Sequence, residues 1–123
     1  MLFRSTEIRA TLAALRAAVG RARILAIMEP RSNTMRMGVH QRTLADAFLP
    51  ADRVLLYQPD NLAWDVEGCT TSLDGKREVH ASIDGIIARV AGLAQSGDHV
   101  IIMSNGAFGG IQQRLVAALE RRP

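Results

Sequence analysis

Two stretches of the chain concentrate groups able to grip an anion. The first is Glu29-Pro30-Arg31-Ser32-Asn33-Thr34-Met35-Arg36-Met37-Gly38. It places two guanidinium groups, two hydroxyls, an amide and a carboxylate within ten residues. Arginine can hold a carboxylate or phosphate through two parallel hydrogen bonds, and short polar side chains can orient what it holds. The alternative is a plain polar loop in which Ser32, Asn33 or Thr34 caps a following helix.

The second stretch is Ser104-Asn105-Gly106-Ala107-Phe108-Gly109-Gly110. Its glycines allow a sharp turn and a close backbone approach to a ligand. The N–H groups at the start of a following helix carry partial positive charge suited to an anion. The alternative is a tight turn that simply needs positive φ angles. Phe108 reads as a hydrophobic plug rather than a stacking platform. A third stretch, Gln58-Pro59-Asp60-Asn61-Leu62-Ala63-Trp64-Asp65, offers Asp60 and Asn61 to an ammonium or amide and Trp64 as a pocket wall. It reads more readily as a surface loop with Trp64 folded back onto the body.

Other chemistries lack their residues. His40, His80 and His99 do not have metal-ligand spacing, and Cys69 is the only cysteine, so neither a thiolate zinc site nor an internal disulfide is expected. No Gly-x-Ser-x-Gly elbow occurs. Lys76 follows Gly75, but no phosphate-loop pattern surrounds it. We therefore expect no catalytic residue, no metal site and no unaided binding of ATP and magnesium in these residues.

These stretches need a frame. The chain has 123 residues with 48% hydrophobic and 22% charged content, an ordinary globular balance and one domain's worth of sequence. Aromatic content is 4%, so the core must be aliphatic. Net charge is +3, and 14 of the 15 basic residues are arginine, scattered without a basic run. Nucleic-acid binding is not expected. No apolar run approaches the ~20 residues of a membrane span. The first residues, Met1-Leu2-Phe3-Arg4-Ser5, do not resemble a signal peptide. With the single cysteine, these features predict a cytoplasmic setting.

Apolar spacing predicts alternating helices and strands. Ile8, Leu12, Leu15 and Val19 share one face of a helix over 5–19, stopped at Gly20. Ile24–Met28, Val54–Tyr57 and Val100–Met103 are short unbroken apolar runs, as expected of strands covered on both faces. A short strand is expected at 78–81. A helix over 39–48 turns Leu44, Ala47 and Phe48 inward. Ser82 caps another helix, with Ile83, Ile86, Ile87, Val90 and Leu93 inward. A last helix turns Ile111, Leu115, Val116 and Leu119 inward. The expected fold is α/β: a Rossmann-like three-layer domain with a mostly parallel sheet. In such sheets ligands sit beyond the carboxyl ends of the strands, where all three polar stretches begin.

Glu29-Pro30-Arg31-Ser32-Asn33-Thr34-Met35 and Met103-Ser104-Asn105-Gly106-Ala107-Phe108-Gly109-Gly110-Ile111 together resemble the C-terminal domain of the Mur ligases, in the murein peptide ligase branch. The resemblance runs from about Thr6 to Leu119. It implies that residues 1–123 are a single C-terminal domain, without the N-terminal UDP-sugar domain and the central nucleotide domain. It implies a part of an ATP-dependent ligase of peptidoglycan recycling that joins UDP-N-acetylmuramate to the tripeptide L-alanyl-γ-D-glutamyl-meso-diaminopimelate. ATP and Mg2+ would be bound mainly by the central domain, and this domain would present the incoming amine. Its partners would be that tripeptide, UDP-N-acetylmuramate and its own N-terminal and central domains, with no nucleic acid and no membrane. Arg31, Ser32, Asn33 and Thr34 would line the cleft, and Asn105, Gly106, Phe108 and Gly109 would form another wall.

The sequence departs from the family in four places. Phe3-Arg4-Ser5-Thr6 stands where an Asp-Asp…His-His-Pro segment would end. Ala107 replaces a glycine, and Gln112 a histidine. Asp60-Asn61 is followed by Leu62-Ala63 in place of the Pro-Arg with which related ligases read diaminopimelate. The rival reading is a stand-alone nucleotide- or anion-binding Rossmann-like module, which would want glycines directly after the first strand, where Glu29-Pro30-Arg31 stands. A receiver-like adaptor would want clustered acids at the strand ends, and only Glu29 and Asp60 come near.

Overall fold

The computed structural model describes residues 5–29, 45–58, 73, 75–103 and 108–121. Helix α1 (Ser5–Val19) leads into strand β1 (Ile24–Met28). Residues 45–47 are helical and precede β2 (Arg53–Tyr57). Then follow β3 (Arg77–His80), α2 (Ile83–Leu93), β4 (His99–Met103), a 3-10 turn at Phe108–Gly110, and α3 (Ile111–Glu120). The strands form one sheet in the order β3-β2-β1-β4. All three pairings are parallel, with Ala26 level with both Val54 and Ile101.

Alternation along the strands creates two cores. Ile24, Ala26 and Met28 face α1 and the 45–51 segment, packing with Ile8, Leu12, Phe48, Val54 and Leu56. Leu25 and Ile27 face α2 and α3, packing with Leu55, Ile86, Val90, Ile111 and Leu115. A central strand covered on both sides cannot carry a polar face, and β1 is buried at all five positions. Helices on both faces give the three layers that the sequence predicts.

Several details differ from the sequence expectation. The short strand occupies Arg77–His80, one residue earlier, and β4 begins at His99 rather than Val100. Leu44 lies outside the described residues, and Ala45, Ala47 and Phe48 are the buried members of their segment. Val116 does not turn inward; it is 51% exposed. The buried stripe of α3 is the narrow series Ile111, Leu115 and the partly buried Leu119. The helix lies over the β4 side of the sheet, and among the described residues β4 has β1 as its one strand neighbour. Val116 instead borders an open groove beside Val100, Ile101 and Ile102 of β4. No helix among the described residues is long and apolar enough to cross a membrane.

Polar networks fasten the amino ends of the strands. The Asp52 carboxylate accepts hydrogen bonds from Ile24 N at 2.8 Å and Arg16 Nη2 at 2.5 Å. Lys76 Nζ donates to the carbonyls of Leu49 and Ala51, both at 2.8 Å. At the other side of β1, Asp98 Oδ2 accepts from Arg23 Nη2 at 2.6 Å and from Gln95 N at 2.8 Å. Arg23 also donates to the Leu93 carbonyl at 2.7 Å.

The Arg23 hydrogen bond, aided by the Gln95 amide, holds the Asp98 carboxyl below its ordinary value against the opposing effect of burial. A carboxyl depressed in the folded state stabilises the protein above its unfolded pKa of ~3.9, and that stabilisation disappears as pH falls through the folded value. We expect Asp98→Asn to be clearly less stable than wild type in urea at pH 7. The gap should shrink at about pH 3. An equal gap at both pH values would remove the role assigned to the ionised carboxylate.

Candidate functional site

The amino edge is taken up by these structural networks, so the carboxyl edge is where ligand-binding groups have room. The chain steps outward from β1 to β2 to β3, then returns past β1 and lays β4 on its other side. The connection leaving β1 reaches the 45–51 segment on the first face. The segment leaving β4 reaches α3 on the second face. In an open α/β sheet, the usual ligand position is beyond the carboxyl ends of two neighbouring parallel strands whose following elements pack on opposite faces. The ends of β1 and β4 are level, since Met28 pairs with Met103 and Glu29 N donates to the Met103 carbonyl at 3.0 Å.

Both polar stretches singled out in the sequence begin at this seam. Of the eight predicted site residues, Arg31, Ser32, Asn33, Thr34, Asn105 and Gly106 lie outside the described residues, as do Asp60, Asn61, Trp64 and His40. Phe108 opens the 3-10 turn, and its backbone alone is described. Gly109 has φ 59°, and Gly110, which caps α3, has φ 70°. These left-handed values explain the glycine pair: residues with a Cβ rarely adopt them. The α3 cap makes no side-chain hydrogen bond. Arg114 Nη1 donates to the Gly109 carbonyl at 3.4 Å, and Arg114 Nη2 pairs with Asp84 Oδ1 at the start of α2.

The other histidines are accounted for locally. His80 Nε2 lies 3.0 Å from Glu78 Oε1, and Glu78 also takes Arg89 Nε at 2.7 Å. Burial raises the Glu78 carboxyl, but hydrogen bonds from Arg89 and His80 outweigh it and hold the group below its ordinary value. His99 starts β4 on the opposite edge and is exposed. Among the described residues no three His, Cys, Asp or Glu side chains gather as a metal site. Lys76, the chain's one lysine, is committed to two carbonyls at the amino edge.

Arg114, Asp84 and Ile83 were not picked out by sequence reasoning as site residues. A signal existed for Arg114. A cation in the first turns of a helix opposes the helix dipole, so it calls for an anionic partner.

The family described as Mur ligase, glutamate ligase domain, matches residues 4–106. Two curated relatives are UDP-N-acetylmuramate–L-alanyl-γ-D-glutamyl-meso-2,6-diaminoheptandioate ligases. That of Haemophilus influenzae is 44% identical over 92% of this chain, and that of Escherichia coli 44% identical over 95%. The chain spans 25% and 26% of their lengths. The crystal structure of murein peptide ligase from Psychrobacter arcticus 273-4 aligns over all of this chain and 27% of its own, with TM-score 0.89 and 38% identity. A crystallised domain from Haemophilus ducreyi 35000HP, assigned to a ligase of the same kind, aligns over 97% of this chain and 86% of its own, with TM-score 0.81 and 39% identity. The alternating parallel sheet, the polar seam and the matched 4–106 span converge: the chain belongs to the Mur ligase family, as its C-terminal, glutamate ligase domain.

Proposed function

We propose that this chain is the substrate-presenting domain of an ATP-dependent amide ligase of peptidoglycan recycling. The ligase joins UDP-N-acetylmuramate to L-alanyl-γ-D-glutamyl-meso-diaminopimelate in a cytoplasmic setting. The observation that carries this reading is the level, parallel pairing of β1 with β4, whose continuations are the two polar stretches. Arg31 follows Glu29 by two residues, and Gly106 follows Met103 by three. In this reading Arg31 holds a carboxylate or phosphate oxygen, and Ser32, Asn33 and Thr34 orient the bound group. Asn105, Gly106, Phe108 and Gly109 form the facing wall. The domain positions the peptide amine, while the N-terminal and central domains hold the UDP-sugar, the nucleotide and its metal. The substrate names of the two relatives support the choice of tripeptide.

The reading divides the work between domains, and the test follows that division. The purified 123-residue chain should turn over no ATP when given both substrates. The protein carrying all three domains should form the amide. Upstream of Met1, the gene should encode a phosphate-binding Gly-Lys-Ser or Gly-Lys-Thr loop. ATP hydrolysis by the short chain, or no amide from the three-domain protein, would overturn the proposal.

A further inference from the structure

We propose that Arg114 and Ile83 are positioning residues for the glycine turn, acting on ligand through that turn rather than by touching it. The proposal rests on the reading of the turn as a wall of the substrate site. Gly110 caps α3 without a side-chain hydrogen bond, so no cap side chain fixes the corner. Two contacts from elsewhere do so. One is polar: Arg114 reaches back along α3 to the Gly109 carbonyl and across to Asp84. The other is apolar: a Cβ built on Gly109 would stand 2.7 Å from Ile83 Cδ1, so the backbone of the corner rests directly on that side chain.

Both contacts lead to the same place, the first turn of α2. That turn is itself set by Ser82, whose Oγ accepts a hydrogen bond from Gly85 N at 3.0 Å. The charges suit their positions: Asp84 lies at the favourable end of the α2 dipole and offsets the unfavourable placement of Arg114 near the start of α3. The ion pair is exposed, with side-chain accessibilities of 46% and 80%, and pairs of that kind contribute little to folding. Its consequence is where it holds the corner, not how strongly it holds the domain.

This separates positioning from structure in an experiment. In the 123-residue chain, 15N relaxation should give Gly109 and Gly110 the rigid-backbone order parameter of ~0.85, falling below ~0.6 in Arg114→Ala. Arg114→Lys should stay near wild type. Asp84→Asn should loosen the turn as Arg114→Ala does, and it serves as the second variant if that protein folds poorly. Thermal midpoints should agree within about 2 °C, as expected for an exposed pair. In the three-domain ligase, Arg114→Ala should lower kcat/KM for the peptide about tenfold through misplacement of the wall, with Arg114→Lys recovering most of the loss. Unchanged order parameters, or a loss that tracks a lowered midpoint, would overturn the positioning role. A loosened turn with unchanged catalysis would instead remove the turn from the substrate site.

Discussion

A three-domain ligase carrying Arg31→Ala is expected to lose about a hundredfold in kcat/KM for the peptide. Hydrogen bonds to charged groups contribute ~1.5–3 kcal/mol each, and each ~1.4 kcal/mol is a factor of ten, so losing a two-pronged contact gives an effect of this order. The form of the loss identifies what is held. If Arg31 grips a carboxylate of the bound peptide, KM rises and kcat stays. If it grips an oxygen that gains charge during transfer, kcat falls in parallel with kcat/KM. Arg31→Lys keeps the charge but not the planar fork, and should recover only part of the activity. Steady-state kinetics with varied peptide decide this, and activity of Arg31→Ala within twofold of wild type would remove Arg31 from the site.

Phe48→Ala is expected to destabilise the 123-residue chain by about 3–5 kcal/mol, the range for deleting a large buried aromatic. Phe48 is fully buried in the first core beside Ile24, Ala26 and Leu56. It also closes a short turn: Phe48 N donates to the Ala45 carbonyl at 3.1 Å, and the Phe48 carbonyl accepts from Ala51 N at 3.0 Å. The thermal midpoint should fall by about 10–20 °C. Phe48→Leu keeps an apolar filling and should lose much less. Urea unfolding measures the destabilisation, and a loss below about 1 kcal/mol would contradict the burial assigned here.

Local patterns carried most of the fold. The Ile24–Met28 run could be read as a doubly covered strand because every residue in it is apolar, and all five are buried. Ser82 could be read as a cap because its chemistry acts three residues away, and it does so at Gly85. Val116 was misread because periodicity reports which residues share a helix face but not how wide a surface awaits them. Arg23 and Asp98 stand 75 residues apart; their pairing follows from β4 lying beside β1, which no local pattern encodes. Motif chemistry singles out Arg31–Thr34, Asn105, Gly106, Phe108 and Gly109 as a candidate site, and of these the described residues include only Phe108 and Gly109. The pairing of Arg114 with Asp84 beside Gly109 has no local signature, because the two are separated by 30 residues and meet only once α2 and α3 pack.

The partnership of β1 with β4 also has a consequence for how the protein is made. Strand β1 leaves the ribosome well before β4, so its second neighbour must wait until residues 99–103 have been synthesised. Until then a wholly apolar strand has one open flank, and closing it means joining distant parts of the chain, which is entropically slow. The seam between β1 and β4 thus cannot close until most of the domain has been made, and that wait leaves an apolar edge open to aggregation.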